Sequence, residues 1–457
     1  MAAAPHSQHV VAVIGGATAG AQVAGRLAER GARVVVFEQN CRPFGKIEDG
    51  LPRWHEKLRN KEYEAISAML ARPGVEFVPA TKVGRDVSFE ELAQGWGFSA
   101  VVLACGAWRD RPLPIEGAEA WVGKGLIYQN PFIIWFNHME EPDYAGPRFE
   151  ARDDALVVGG GLASIDVAKV LMLETTRAAL AERGVEVPMP ELEVRGIPKL
   201  LQRHGLRFEE LGLAGCTLFY RRRAEDMPLV EAPEGADEAR LAKVQAARRR
   251  LLEKAQEKYR FGLEPLSSPE ALLTEGDRVV GLRLRRTRVE AGRVVATDEV
   301  YERRGSCVVS SIGSIPEPIP GIEMKGELFD FSDWEYGRLD GYPNVFSVGN
   351  VVTGKGNIVA SRKHATHVSE DAVEAYLGLS AAGHSGEEGL LLHSSTSSEH
   401  AALRIAGEIL RAEAPPPEIA QAILERVRKR QEAVGYGGDL RAWLASSMSG
   451  PPSSTPS

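Results

Sequence analysis

Gly15-Gly16-Ala17-Thr18-Ala19-Gly20 can bring bare backbone N–H groups up to an anion. The run follows the apolar stretch Val10 to Ile14, which reads as a buried parallel strand. It precedes Ala21 to Arg30, where Val23, Leu27 and Ala28 fall at helical spacing and Gly31 is the stop. A second strand, Arg33 to Phe37, ends on Glu38, a carboxylate placed to accept hydrogen bonds from a ribose. Strand, glycine turn, helix, strand and acidic end form the pattern that binds a dinucleotide through its pyrophosphate. Ala17 departs from it: a methyl stands where the backbone should come nearest the phosphates.

The pattern recurs. Asp154 to Val158 reads as a strand, Gly159-Gly160-Gly161-Leu162-Ala163-Ser164 as its turn, and Ile165 to Leu173 as its helix. Gly159 and Gly161 hold the first two glycine positions, and Ser164 takes the third. The next strand, Cys216 to Tyr220, ends on Arg221-Arg222-Arg223 rather than on a carboxylate. Guanidinium groups suit a 2′-phosphate through charge-assisted bonds, so Arg221 and Arg222 favour NADPH over NADH. Two units in one chain suggest one tightly held flavin dinucleotide and one mobile nicotinamide dinucleotide.

Other elements must position these turns. Glu56 to Leu70 reads as a helix, Val75 to Val78 as a strand, Val83 to Val87 as a turn into another, and Phe98 to Ala104 as a buried strand. The aromatic-rich Gly117 to Arg152 reads as a packed connection. Thr175 to Gly212 reads as irregular with helical pieces, and Glu234 to Tyr259 as a long solvated helix. Arg278 to Val295 reads as a hairpin, Ser306 to Ile312 and Asn344 to Val348 as strands, and Asn357 to Leu377 as a helix. Past the Gly/Ser/His-rich Ser380 to Ser398, Glu399 to Ala412 and Pro417 to Ala433 are amphipathic. Their stripes are Leu403, Ile405, Ile409 and Leu410, then Ile419, Ile423, Leu424 and Val427. Such short helices must bury these stripes, on the body of the protein, on a partner or on a second copy. The Ser/Pro-rich end, Ser446 to Ser457, is expected to be disordered.

The totals exclude several classes. A net charge of −8 gives no reason to expect nucleic-acid binding. No apolar run is long enough to span a bilayer, and Met1 to His9 does not read as a signal peptide. Cys41, Cys105, Cys216 and Cys307 lie far apart, with no C-x-x-C pair and no metal-ligand spacing. Reduced thiols in a cytoplasmic protein are expected.

Taken in order, these motifs resemble the adrenodoxin-reductase-like ferredoxin–NADP reductases and the related small subunit of glutamate synthase. The resemblance covers about Val10 to Gly378. It rests on the first turn with Glu38, Pro43-Phe44-Gly45, the Val83 to Val87 segment and Ala104-Cys105-Gly106-Ala107. Further on it rests on Gly159 to Ser164, Tyr220-Arg221-Arg222, Ser310 to Gly313, Gly349-Asn350 and Gly356-Asn357-Ile358. The long stretch between the second turn and the paired arginines favours the adrenodoxin-reductase branch. The glutamate synthase subunit carries a cysteine-rich segment before its first strand, where only nine residues precede Val10 here.

The resemblance implies an α/β protein with two Rossmann-like domains; beyond it the sequence pattern itself predicts a small C-terminal helical extension. Residues 1–115 and 320–380 would form a split FAD domain and 116–319 an inserted NADPH domain. Residues 381–398 would be a linker, 399–445 the extension and 446–457 a tail. FAD would lie against Gly15, Ala17, Thr18, Ala19, Gly20, Glu38, Gly45, Lys46, Val83, Ala104, Cys105 and Gly106. Gly349, Asn350 and Gly356 would return to it, with the amides of Asn357 and Ile358 near the pyrimidine edge of the flavin. NADPH would lie against Gly159, Gly161, Leu162, Ala163, Ser164, Arg221 and Arg222. His55 matches a histidine the family places close to the flavin ring. Asn350 stands where many two-dinucleotide flavoproteins have Asp, and Lys46, Glu48 and Asp49 where relatives are often apolar or basic. The implied activity is electron transfer from NADPH through FAD to a small redox protein such as a ferredoxin. Alternatives are an electron-input subunit of a larger enzyme and a non-catalytic flavoprotein sensor. A disulfide reductase would need the cysteine pair this sequence lacks.

Overall fold

The computed structural model describes residues 9–142, 144–233, 235–354, 356–379 and 411–447. The chain begins Val10–Ile14 (β1), Thr18–Glu29 (α1), Arg33–Phe37 (β2), Glu56–Leu70 (α2), Val75–Val78 (β3) and Ala100–Leu103 (β4). Arg109–Asp110 (β5) leads to Leu126–Tyr128 (β6), Gln129–His138 (α3), Leu156–Gly159 (β7) and Leu162–Ala181 (α4). Met189–Arg195 (α5), Ile197–Arg203 (α6), Thr217–Tyr220 (β8), Glu238–Tyr259 (α7) and Gly262–Pro265 (β9) follow. Three longer strands, Ser267–Glu275 (β10), Arg278–Glu290 (β11) and Arg293–Arg304 (β12), precede Val308–Ser311 (β13) and Ser314–Ile315 (β14). Small pairs then run Met324–Lys325 (β15), Leu328–Phe329 (β16), Phe331–Asp333 (β17) and Arg338–Leu339 (β18) before Val345–Ser347 (β19). Asn350–Thr353 (α8), Ile358–Val368 (α9), Glu374–Tyr376 (α10), Pro417–Ala433 (α11) and Leu440–Ser447 (α12) end the described chain.

Two five-stranded sheets organise these elements. The first has the order β19-β4-β1-β2-β3 and the second β6-β13-β7-β8-β9, with every pairing in both parallel. In each, the strand before a glycine turn is central and buried along its whole length. Parallel strands covered on both faces need such uninterrupted apolar runs. The first sheet takes its last strand from residue 345 onward, after the second is complete. Between the sheets the chain passes twice, and the passages pair as β5 and β14, with Ser314 opposite Asp110 and Ile315 opposite Arg109.

Several sequence expectations need correction. Val83 to Val87 is the turn expected, closed by a single bridge and by the Gly84 amide donating to the Val87 carbonyl at 2.7 Å, but no strand follows it before Ala100. The packed connection hides β6, an edge strand of three residues and too short to show a period. The second turn's helix runs to Ala181 rather than Leu173, because Thr175 and Thr176 are buried within it. The hairpin is a three-stranded antiparallel sheet, β10-β11-β12. The final body helix is interrupted by a π turn over Ser369–Val373. Ser446 and Ser447 belong to α12, a helix the sequence did not announce. The linker, all but the end of Glu399 to Ala412, and the tail from residue 448 lie outside the described residues.

Helix α11 packs back on the first sheet. Ile423, Leu424 and Val427 are buried, two of them in one cluster with Phe89, Leu92 and Phe98, while Ile419 stays partly exposed. Its polar side chains grip as well: Gln431 Nε2 donates to the Phe77 carbonyl at 2.9 Å, and Arg430 Nε to Thr81 Oγ1 at 2.9 Å. Trp443 Nε1 of α12 donates to the Cys41 carbonyl at 2.7 Å. Ile423→Ala is therefore expected to destabilise the first unfolding transition by about 2–5 kcal/mol in urea titrations, through lost transfer energy and a residual cavity. A change within measurement error would mean that α11 is not part of this core.

Candidate dinucleotide sites

Each glycine turn is shaped by a backbone collision that only glycine avoids. A Cβ on Gly15, whose φ is +101°, would sit 2.6 Å from the Ala104 carbonyl oxygen beyond β4. A Cβ on Gly20 would sit 1.8 Å from the Gly15 oxygen. In the second unit, a Cβ on Gly159 would lie 2.3 Å from the Ser311 oxygen of β13, and one on Gly160 would strike the Tyr220 ring at 2.1 Å. Gly161 meets nothing within 4 Å, leaving its surroundings open. Ser164 is fully buried, and its Oγ donates to the Gly161 carbonyl at 2.6 Å, stapling the turn.

Helices α1 and α4 start on these turns without any side-chain cap, at Ala17 and Gly161. Helices α7 and α9, by contrast, are capped by Asp237 and Asn357. Uncapped first-turn amides beside a glycine turn are donors for a phosphate. The Ala17 departure has a local accommodation: a Cβ on Gly45 would come within 2.9 Å of the Ala17 methyl, so Gly45 leaves room for it.

A pocket opens at the first turn. Of the expected FAD residues, Gly15, Ala17, Glu38, Gly45, Val83, Ala104, Cys105 and Gly106 line it. Thr18, Ala19 and Gly20 lie behind it in α1. The sequence missed Gln39, Thr81, Lys82, Trp108, Glu317 and Pro318, which also line it. Lys82 and Glu317 pair across 2.7 Å, joining the loop after β3 to the passage after β14. No sequence signal brings residues so far apart together.

Glu38 is buried, and its carboxylate accepts from the Gly16 amide at 2.8 Å and the Asn40 amide at 2.9 Å. Burial pushes its carboxyl up to about 7, against those two hydrogen bonds. Gly349, with φ +77°, approaches α1 so closely that a Cβ would lie 2.8 Å from that of Ala19. Asn350 follows, and its buried Oδ1 has no hydrogen-bond partner among the described residues. An unpaired buried acceptor is costly, and a ligand hydroxyl would satisfy it. Asn357 caps α9 by accepting from the Ala360 amide at 2.6 Å, and its Nδ2 donates to Glu231 Oε1 at 2.8 Å. Gly356 precedes this cap, and Ile358 opens the helix. His55 stands at the start of α2 with Nε2 3.9 Å from Asp166 Oδ1 of α4, facing the second sheet's elements rather than lining the pocket.

Lys46 does not line the pocket either. Its Nζ donates to Asn130 Oδ1 at 3.0 Å and Ser314 Oγ at 2.9 Å. Burial pulls the ammonium down to about 8, opposed by Asp110 and Asp49. Glu48 pairs with Arg42 at 2.7 Å, and Asp49 with His138 at 3.0 Å.

At the second turn, Leu162 is half exposed and Ala163 opens α4 beside it. The three arginines after β8 separate in role. Arg223 forks onto Asp226, with both bonds at 3.0 Å. Arg222 donates to the Gly292 carbonyl at 3.0 Å and lies 3.7 Å from Asp226. Arg221 is exposed and makes no ion pair among the described residues.

Residues 9–208 match the family model described as pyridine nucleotide-disulphide oxidoreductase. Fold, sites and this match define the class: an FAD-dependent NADPH oxidoreductase built on two dinucleotide-binding folds. Within it, the likeness to the adrenodoxin-reductase and ferredoxin-reductase group read from the sequence is borne out. The chain is 25% identical over 424 residues to the mitochondrial NADPH:adrenodoxin oxidoreductase of Arabidopsis thaliana, covering 82% of this chain and 85% of that one. It is 26% identical over 377 residues to the NADPH-ferredoxin reductase FprA of Mycobacterium tuberculosis, covering 76% and 77%. Over 156 residues it is 34% identical to the glutamate synthase [NADPH] small chain of that organism, covering 33% and 30%. The structure of FprA in complex with NADPH shares the fold, with a TM-score of 0.62 at 21% identity, covering 93% of this chain and 90% of that one.

All four cysteines are free, and burial raises each thiol, Cys105 to about 12. Neutral thiols are poor nucleophiles. Replacing each cysteine singly by alanine should leave NADPH–dye reductase activity largely intact. Abolition by one replacement, with flavin and fold retained, would establish thiol chemistry.

Proposed function

We propose that this chain passes electrons from NADPH through FAD to a small redox protein such as a ferredoxin. The observation that carries the reading is the repetition of one device: an uncapped helix on a glycine turn at the end of a central parallel strand. In this reading residues 1–115 and 320–380 form the FAD domain, and 116–319 the NADPH domain. The names of the Arabidopsis and mycobacterial relatives support the acceptor class.

The chain's own residues bind and orient. The amides of α1 hold the FAD pyrophosphate, and Glu38 accepts from its ribose, exchanging the bonds it now takes from Gly16 and Asn40. Asn350 Oδ1 would be available to accept a hydroxyl of the bound flavin dinucleotide. The amides of α4 would hold the NADPH pyrophosphate, and Arg221 would take the 2′-phosphate. FAD, when bound, supplies the hydride acceptor and the site from which electrons leave singly. No side chain need act as nucleophile. A cytoplasmic setting goes with this reading, the four cysteines being free.

The purified protein is expected to carry FAD, and its visible flavin absorption should bleach rapidly when NADPH is added without oxygen. A folded preparation that is colourless and takes up no FAD would overturn the reading. Cytochrome reduction through added ferredoxin tests the acceptor. Transfer only within a larger assembly would instead favour the electron-input role that the glutamate synthase match suggests.

Arg221→Ala should cost ~1.5–3 kcal/mol of NADPH affinity, roughly tenfold to a hundredfold, while NADH is little affected. Arg222→Ala should cost less, because Arg222 already has Gly292 and Asp226 as partners. Equal losses for NADPH and NADH in the double variant would make the arginines structural.

A further inference from the structure

Lys46 is a half-buried cation that joins four separate pieces of chain. Its own loop follows Phe44 and Gly45 and belongs with the first sheet. Its Nζ reaches Ser314 Oγ in β14 and Asn130 Oδ1 at the start of α3, beside the second sheet. Asn130 extends the reach: its amide donates to Asp110 Oδ1 at 3.1 Å, and its Nδ2 donates to the Trp108 carbonyl at 2.9 Å and Ser314 Oγ at 3.2 Å. Asp110 and Ser314 are themselves opposite one another in the β5–β14 pair. Both passages between the sheets thus converge on one ammonium. Trp108, part of this network, also lines the first pocket.

A two-stranded connection alone is a hinge, since two short paired passages resist rotation weakly. We infer that Lys46 is the positioning residue that pins this hinge, fixing the angle between the two dinucleotide folds and so the approach of nicotinamide to flavin. The inference rests on the proposed function for its consequence, though not for the pin itself. Three features make the pin effective. The ammonium is half-buried, its partners lie on both passages and on α3, and Asp110 and Asp49 supply the opposing charge. Asn137 and His138 of α3 reinforce it from the same side. Asn137 Nδ2 donates to the carbonyls of Glu48, Asp49 and Leu51, and His138 holds the Asp49 carboxylate.

The test compares the full-length protein, as purified, with its Lys46→Met variant, which keeps an unbranched side chain of similar length. Hydrogen exchange is read at the amides of Arg109–Arg111 and Gly313–Ile315. Exchange there should quicken by about tenfold in the variant, while the β1 amides stay as protected as before. In FAD-loaded protein, NADP⁺ affinity should be unchanged and single-turnover hydride transfer slowed by about tenfold or more, as misplacement predicts. Unchanged exchange at the hinge amides in a folded variant overturns the inference, as does a loss of NADP⁺ affinity that accounts for the slower transfer. If Lys46→Met does not fold, Ser314→Ala, which removes one acceptor and no charge, is read by the same exchange measurement. A measurable rise at the hinge is expected, and none overturns the inference. Protein that binds no FAD would sink the proposed function while leaving the exchange comparison decisive for Lys46.

Discussion

Two close passages of backbone against backbone govern this structure. Gly15 runs against the Ala104 carbonyl and Gly159 against the Ser311 carbonyl, each at a distance no Cβ permits. Because the turn lies against the end of a neighbouring strand, the helix that follows starts at the carboxyl edge of the sheet with its first amides uncapped. Everything in the two sites depends on that placement: the amides serve an anion only if the turn is this tight. A methyl at either glycine would push turn and helix off the sheet. The protein accepts Ala17 only because that position faces Gly45 and not a carbonyl.

Much of this was legible in the sequence. The glycine turns are local, and strand, turn and helix identify themselves by period and by residue type within thirty or so residues. Helix α2 and helix α11 were read with the bounds the structure gives them, because their apolar stripes are regular and their ends are marked. What escaped was short or non-local. Strand β6 has three residues, too few to show a period. Thr81, Lys82, Glu317 and Pro318 reach the first pocket from segments more than two hundred residues apart, a proximity no spacing encodes. The arginine run was read as two equivalent phosphate ligands. The structure instead divides it, since Asp226 and the Gly292 carbonyl occupy two of the three guanidiniums.

The polar surface between the sheets reads as one assembly once Lys46, Glu48 and Asp49 are seen together. Each looked like a departure from the family pattern, and each has a partner of opposite charge or matching polarity: Asn130 and Ser314, Arg42, and His138. Buried polar groups are tolerable when their hydrogen bonds are complete, and they then specify one arrangement more sharply than apolar contact does. Arg53 adds an aromatic contact, its guanidinium 4.7 Å from the Phe136 ring. Substituting one member alone strands its partner.

The order of strands along the chain has a consequence for how the protein is made. The second sheet is complete once Ser311 has been synthesised, with the three strands β10 to β12 of another sheet interposed before its last strand. The first sheet, whose opening strand leaves the ribosome before any other, waits for Val345–Ser347 to supply its edge and for Arg430 to brace Thr81 at the pocket. During translation β1 finds both its neighbours early, in β2 and β4, whereas β4 keeps one edge unpaired until β19 is made. The strands of the second sheet are all made before that edge is supplied, so the final stretch completes a first sheet already built on its other side.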